Sequence, residues 1–478
     1  MEWTGMALLL LVGVGIIGTG LPAAVVLVAV ALFGAALGWA TATVPIGLLW
    51  ALPGRLINIL DNDLLQALPL YVTMGLLLNR LVADALYRAC SAIVPRSRSA
   101  PLVSGMVLGA LLGPMNGSVG ASVLGLSRVI SPRLNAEGVT PAIRDAVVAV
   151  ASTLGVLVPP SLVLILLSDT MLSAHTPAVT QTGRADRVIN TQDIFHAALL
   201  PAGLFLVLCV ILAWIVGRKA TRTVKPEPLT VSQGLVAATA LVALVLLLGG
   251  VAAGYFYAVE AAAMGAFTLL ASGLLTRRLN YTVLRDVFHD AIAITGALFS
   301  LLVAATTFTL VLRILGTDRL VNNLVGAIPG HDVLAVAGVL AVIGACAFVL
   351  DAFEIIFVIV PIVIPPLLIR VADARWVSVL VLLTLQASFL LPPFGYALMM
   401  VRGTAQNPAP LRLMLRALAP FLAAQWLLLM IVMFEPSLVH FGQGEGEIGR
   451  APAKDLSNEE INRRLKEMVP PPSMPDSN

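Results

Sequence analysis

Pro159-Pro160 interrupts an apolar run long enough to cross a membrane, and Pro392-Pro393 interrupts another in the same way. A proline pair removes two backbone donors and clashes with the preceding helical turn, so neither run can be one continuous helix. Non-helical backbone at membrane depth survives only where protein or a water-filled cavity surrounds it. Any fold for this chain must therefore shelter two breaks inside a bundle.

The membrane setting follows from the residue inventory. Of 478 residues, 59% are apolar and 12% charged, and the mean hydropathy is +0.97. A soluble domain carries about 25% charged residues. The stretch from Glu445 onward holds seven acids and five bases, 12 of the 29 + 26 = 55 charged residues, so the body is still more apolar. This excludes a cytosolic enzyme and leaves an all-α polytopic membrane protein. The net charge of +3 favours neither nucleic acid nor an acidic partner. Cys90, Cys209 and Cys346 have no paired spacing, and the five histidines include neither an i,i+4 pair nor HExxH, so no disulfide framework and no transition-metal site is expected. The N-terminal Met-Glu-Trp-Thr-Gly has no basic flank and no cleavage site follows, so the first apolar segment is expected to remain as a transmembrane helix.

A crossing takes roughly 20 apolar residues. Residues 6–39 form one long run with a break at Gly18–Leu21, and further runs bring the expected total to ten or eleven transmembrane helices. Lys and Arg in short loops mark the cytoplasmic side. Arg80, Arg88, Arg96 and Arg98 precede the run 101–127, and Arg128, Arg133 and Arg144 follow it. A run flanked by basic loops on one side must enter and return. Its centre, Gly113-Pro114-Met115-Asn116-Gly117-Ser118, is good turn sequence, which predicts a re-entrant hairpin with its tip at 114–120. In the next run, Ser152 to Ser161 surrounds Pro159-Pro160. A break there frees carbonyls beside hydroxyls, which suits Na⁺, while helix N-termini can face an anion.

The same grammar recurs about 235 residues later: an apolar run interrupted by Asp351 and Glu354, then one broken by Pro392-Pro393. Asn116 to Pro159 spans 43 positions and Asp351 to Pro392 spans 41. Corresponding interruptions in two halves point to a secondary-transporter binding site near the midplane. The side assignments make the halves an inverted repeat. The organisation expected is scaffold helices in 1–98, the first hairpin and broken helix in 99–172, and an extracytoplasmic loop at 173–195. Connecting or scaffold helices follow in 196–330, the second hairpin and broken helix in 331–403, a last membrane helix in 404–443 and a disordered tail in 444–478.

These stretches carry a family resemblance over residues 1 to about 440. LPLYVTMGLLLNR at 68–80, NGSVGAS at 116–122, STLGVLVPPS at 152–161, GYFYAVEAAAMGA at 254–266, LDAFE at 350–354 and LQASFLLPPFGYALMMVRG at 385–403 resemble the large membrane subunit of a tripartite ATP-independent periplasmic (TRAP) transporter. GAS at 120–122, LLSD at 166–169 and QASFLLPPFG are most similar to the branch labelled for mannitol/chloroaromatic compounds. Many members read Ser-Gly-Ser-Ser-x-Ala-Asp at the first hairpin; here Asn116 replaces the first Ser and Ser122 the Asp. The resemblance implies an elevator-type Na⁺ symporter of the bacterial inner membrane, fed by a soluble periplasmic binding protein and completed by a small four-helix membrane subunit. Small carboxylates are the common solutes of the family.

Asp351 is the strongest site candidate, because an ionised group in mid-membrane is costly and marks function by default. It is expected at the second hairpin tip, coordinating Na⁺ or orienting the tip backbone, with Glu354 as capping-box partner. Ser118, Thr153, Gly155, Ser388 and Leu391 are further Na⁺ candidates through hydroxyl or carbonyl oxygen, the donors a hard cation prefers. Asn116, Ser122 and Gln386 are candidates to line the substrate cavity; Arg402, at the end of a span, either reaches inward to it or anchors the cytoplasmic boundary. Apart from Na⁺ as coupling ion, no cofactor is expected. The rival reading is a self-sufficient sodium/anion symporter of similar architecture that needs no binding protein.

Overall fold

The computed structural model describes residues 2–41, 47, 50–61, 63–93, 98–116, 118–183, 188–218, 230–391 and 395–441. Regular structure among them is helical. The expected break in the first apolar run is real: α1 (Glu2–Thr19) ends before Gly20, whose φ of +64° suits glycine, and Pro22 precedes α2 (Ala23–Ala40). The amphipathic α3 (Ala51–Leu60) leads to α4 (Asp63–Leu81), which bends by 62° into α5 (Ala83–Ile93). The hairpin arms α6 (Ala100–Leu112) and α7 (Val119–Ala136) are followed by α8 (Pro141–Leu157) and α9 (Leu162–Thr182). Then come α10 (Thr191–Gly217), α11 (Val231–Ala252), α12 (Ala258–Leu275), α13 (Tyr281–Ile314) and α14 (Thr317–Gly326). The second hairpin is α15 (Asp332–Cys346), α16 (Ala352–Glu354), a π turn at Ile355–Ile359 and α17 (Val360–Arg370). The chain ends with α18 (Ala374–Ser388), α19 (Tyr396–Thr404) and α20 (Leu411–Phe434).

Side-chain bonds sort the helix termini into two ends. At one, Arg133 pairs with Asp84, Ser99 Oγ donates to the Trp214 carbonyl (2.6 Å), and Arg144 donates to the Asn407 carbonyl (2.8 Å). At the other, Gln192 donates to the Val251 carbonyl (2.7 Å), Arg375 pairs with Asp193 (3.1 Å), and His440 pairs with Asp373 (2.7 Å). The basic loops gather at the first end, which the charge bias makes cytoplasmic.

With the ends known, the traverses are α1, α2, α4, the α8–α9 pair, α10, α11, α12, α13, the α18–α19 pair and α20, ten among the described residues. By length and apolarity alone eight helices qualify as spans, or nine with the bent α4–α5 pair. That test includes Ala352–Arg370, yet Arg370 is tied back to Asp332 (3.3 Å) at the start of the same hairpin, so this arm returns to its own side. Both hairpins are re-entrant and open to opposite ends. His440 at the Asp373 end puts the exit of α20 opposite the basic loops.

Two expected boundaries shift. The loop expected at 173–195 is shorter, because α9 continues through Pro177 to Thr182, burying Ala174, His175 and Ala178. α10, expected among the scaffold helices of 196–330, packs on α6, α18 and α20, the body that holds the hairpins. The surrounding frame is made of α1–α5 and α11–α14. The interrupted helices are deeply enclosed: α8 is buried from Arg144 to Leu157 and α18 from Trp376 to Ser388. The breaks therefore open onto protein, as the absence of lipid-side hydrogen bonding demands. The tail from residue 442 lies outside the described residues.

Candidate functional site

The first tip and the first break are built against each other. α6 ends in a 3₁₀ turn, Gly113–Met115, where the Asn116 N–H reaches the Gly113 carbonyl (3.2 Å). Ser118 has extended backbone and caps α7, its Oγ accepting from the Ala121 N–H (3.1 Å). Opposite, α8 stops at Leu157. Ser161 caps α9 by accepting from the Leu164 N–H (3.1 Å) while donating to the Val156 carbonyl (2.8 Å). Pro159 and Pro160 occupy the break between them, as expected. Gly113 and Gly155 meet backbone to backbone, so a Cβ on either would overlap the other.

That contact borders a cavity of about 10 Å³ lined by Ser118, Ser122, Ser152, Ser161, Gly113 and Gly155. The volume suits one water-sized particle, and the hydroxyl and carbonyl oxygens are the donors a hard cation takes. The starts of α7 and α9 add partial positive charge beside the C-terminal end of α8. Interrupted helices recognise an anion and a cation side by side in this way.

At the second tip, Asp351 caps α16: its Oδ1 accepts from the Ala352 N–H (2.8 Å) and Glu354 accepts from the Asp351 N–H (3.0 Å). The capping box expected for Glu354 is present, and it supplies a structural role for Asp351 as well. α18 ends at Ser388, whose hydroxyl donates back to the Leu385 carbonyl (2.6 Å). The Leu391 and Phe389 carbonyls accept from the Gly395 (2.8 Å) and Ala397 (3.1 Å) N–H groups. Pro392 and Pro393 lie outside the described residues, but the helix is interrupted on either side of them.

Contacts join the two halves. Gln386 Nε2 donates to Thr153 Oγ1 (3.3 Å), and Thr153 donates to the Val150 carbonyl (2.9 Å). Gln386 is fully buried and its Oε1 has no partner among the described residues. Gln386 therefore sits with Thr153 between the interrupted helices. Tyr396, the first residue of α19, lays its hydroxyl over Gly120 of the first hairpin, where an added Cβ would lie 2.7 Å from it. The same phenol is within electrostatic reach of Asp351 and Glu354. One side chain thus touches one tip and senses the other. Sequence reasoning missed it, although an aromatic directly after a helix break was a usable signal.

Asn116 Nδ2 donates to Ser122 Oγ (3.1 Å), bringing those two candidates together, and Asn79 of frame helix α4 donates to Asn116 Oδ1 (2.7 Å). Gly75 lies directly against the Met115 backbone, which lets α4 approach the tip. Arg402 is not brought to the tips. It sits in the last turn of α19 toward the basic end, with its Nε buried and unpartnered among the described residues.

Over residues 4–438 the chain matches the family described as the tripartite ATP-independent periplasmic transporter, DctM component. It is 22% identical to the C4-dicarboxylate TRAP transporter large permease protein DctM of Pseudomonas aeruginosa, over 80% of this chain and 87% of that protein. It is 25% identical to the ectoine/5-hydroxyectoine TRAP transporter large permease protein of Ruegeria pomeroyi, over 69% and 74% respectively. Among solved structures, the YdaH transporter of Alcanivorax borkumensis superposes with a TM-score of 0.57 at 13% identity, covering 81% of this chain and 87% of that one. That likeness concerns the fold alone.

Proposed function

This chain belongs to the DctM-component family of tripartite ATP-independent periplasmic transporters, and from that premise we propose that it imports a small organic acid or related solute by sodium-coupled elevator movement. It is a multi-pass protein of the bacterial inner membrane, a transporter and not an enzyme. The observation that carries the proposal is the small cavity between the first tip and the first break, where four serines and two glycines interrupt an otherwise apolar lining. It accommodates one ion among serine hydroxyls, glycine backbone and helix ends. Binding there would draw hairpin and broken helix together, so occupancy would tune the closure of the tip.

Elevator movement is supported by the division into a hairpin body and a surrounding frame. A carboxylate-bearing solute is supported by relatives named for C4-dicarboxylates and ectoine. The helix starts at Ser118 and Ser161 suit such a group. The proposed partners are a small four-helix membrane subunit and a periplasmic binding protein. Asp351 keeps the second tip in register through its cap and, with Tyr396, sets the electrostatics between the tips.

The test is uptake into liposomes holding this chain. Uptake should require a sodium gradient, the small subunit and the loaded binding protein together. Robust uptake by this chain alone would overturn the binding-protein requirement in favour of a self-sufficient symporter. Asp351→Asn keeps a capping side chain and should fold, so unchanged sodium activation in that variant would remove Asp351 from the mechanism.

A further inference from the structure

A second, larger cavity of about 550 Å³ lies between the hairpin body and the frame, on the far side of the tips from the basic loops. Its body wall comes from α9 and from α17 with Pro361, Pro365 and Pro366; its frame wall comes from α3, the end of α13 and α14. The volume falls in the range of small-molecule sites, roughly 300–1,000 Å³. α13 starts beside the basic Arg277-Arg278 loop and ends here, so by the charge bias this cavity faces outward.

The arginines of this end divide into two kinds. Arg370 and Arg375 are held in place: Arg370 by Asp332 and the Ile328 carbonyl (2.8 Å), Arg375 by Asp193. At the cavity the balance differs. Arg313 shares Asp318 at 3.5 Å, and Arg55 of α3 lies within electrostatic reach of both. Arg319, exposed on α14, has no ion pair or side-chain hydrogen bond among the described residues. Two guanidinium groups, Arg313 and Arg55, therefore share one carboxylate on the frame wall, and Arg319 stands beside them with none. Asp169, on the opposite wall, is already engaged. Outward loops are normally poor in Arg and Lys, so a concentration of them around an open cavity calls for a ligand. Arginine presents a planar fork that matches a carboxylate.

We propose that this outer cavity is a receiving subsite for an anionic, carboxylate-bearing solute, with Arg313 and Arg319 as its recognising groups. The solute lodges there before it reaches the tips. Because the subsite sits on the frame, it stays in place when the hairpin body moves, and it raises the local concentration of anions facing that body. This deepens the importer reading above and rests on it for the identity of the ligand class. The presence of an anion-selective cavity is independent of that reading.

The experiment uses the full chain with its three native cysteines replaced by Ser and a single Asn322→Cys in the cavity, in phosphatidylcholine liposomes. Labelling by an anionic and a cationic methanethiosulfonate is compared with the same pair on a reference Ala253→Cys, exposed at the same end. The anionic reagent should be favoured at Asn322→Cys by about tenfold over the reference, an advantage that high salt removes. Succinate should slow the labelling, and glycerol should not. Arg319→Gln, which breaks no bond, should cut the preference severalfold. Adding Arg313→Gln should bring it to the reference value, while Arg319→Lys should keep most of it. A preference already at the reference value, or one indifferent to Arg319→Gln, would overturn the subsite. So would a preference that appears only when anionic lipid is added, since the groups would then be headgroup anchors. If the labelling pattern holds while reconstituted uptake fails, the importer reading falls and the subsite stands.

Discussion

Gln386 reaches across 233 residues of sequence to donate to Thr153 Oγ1 at 3.3 Å, locking the two interrupted helices together at one depth. Both side chains are buried, and the unpartnered Gln386 Oε1 is a carbonyl-type acceptor with nothing to accept among the described residues. A buried polar atom left unsatisfied costs about 1–3 kcal/mol.

Gln386→Ala removes that oxygen and the crosslink together. The expected outcome is a half-saturating sodium concentration raised by about tenfold, equivalent to about 1.4 kcal/mol, with folding retained. Sodium titration of reconstituted uptake reads the first, and the thermal midpoint in detergent reads the second. An unchanged sodium dependence would assign Gln386 to packing alone.

Gly155→Ala places a methyl against the Gly113 backbone and into the cavity beside Ser118. Overpacking of this kind costs about 1–3 kcal/mol. A lower melting temperature together with loss of sodium-stimulated uptake is expected. Gly296→Ala, which meets nothing within 4 Å, is the matched control and should be silent in both assays.

Arg144 and Asp145 form a buried pair at the basic end, with Arg144 Nε 2.7 Å from Asp145 Oδ1. Arg144 also donates to Asn135 Oδ1 (2.9 Å) and the Asn407 carbonyl, while Asp145 accepts from the Ala409 N–H (3.0 Å). The pair fastens the connection after α19 to the start of α8. Arg144→Met strands a buried carboxylate and should cost about 3–5 kcal/mol. Arg144→Met with Asp145→Leu should be less destabilised than the sum of the singles, as a double-mutant cycle on thermal stability would show.

His440 lies beyond α20, and its hydrogen bond to Asp373 raises its pKa above the ordinary histidine value. A raised folded-state pKa stabilises the fold fully below the unfolded value of about 6.5. That contribution disappears as pH rises through the folded value. Melting temperatures of the parent and of His440→Gln should differ most in mildly acidic buffer and converge in alkaline buffer. A gap independent of pH would show that the contact is steric.

The legible features of this chain were those with local causes. Pro159-Pro160 ends a helix wherever it stands, and Gly20 with Pro22 turns the chain between α1 and α2. The re-entrant path of α6 and α7 followed from basic residues flanking a turn-rich run. Arg144 shows the limit of such reasoning. Counted from sequence it is one more loop charge, but packing α8 against the 404–409 connection buries it at 4% exposure. Tyr396 over Gly120 and Asn79 against Asn116 depend on which helix faces which tip, and no local signal encodes that. Arg402 had two readings in the sequence, an inward reach and a cytoplasmic boundary position, and its place in the last turn of α19 agrees with the second.

What the sequence determined unaided was an all-helical membrane protein with two inverted, interrupted halves. Apolar length, proline chemistry and the sign of loop charge act residue by residue and add along the chain. The tertiary structure alone decided which hydroxyls share a cavity, which arginines are held and which stand beside an open space. Those outcomes depend on side-chain surfaces meeting across helix interfaces, where a rotation of one helix changes every partner at once.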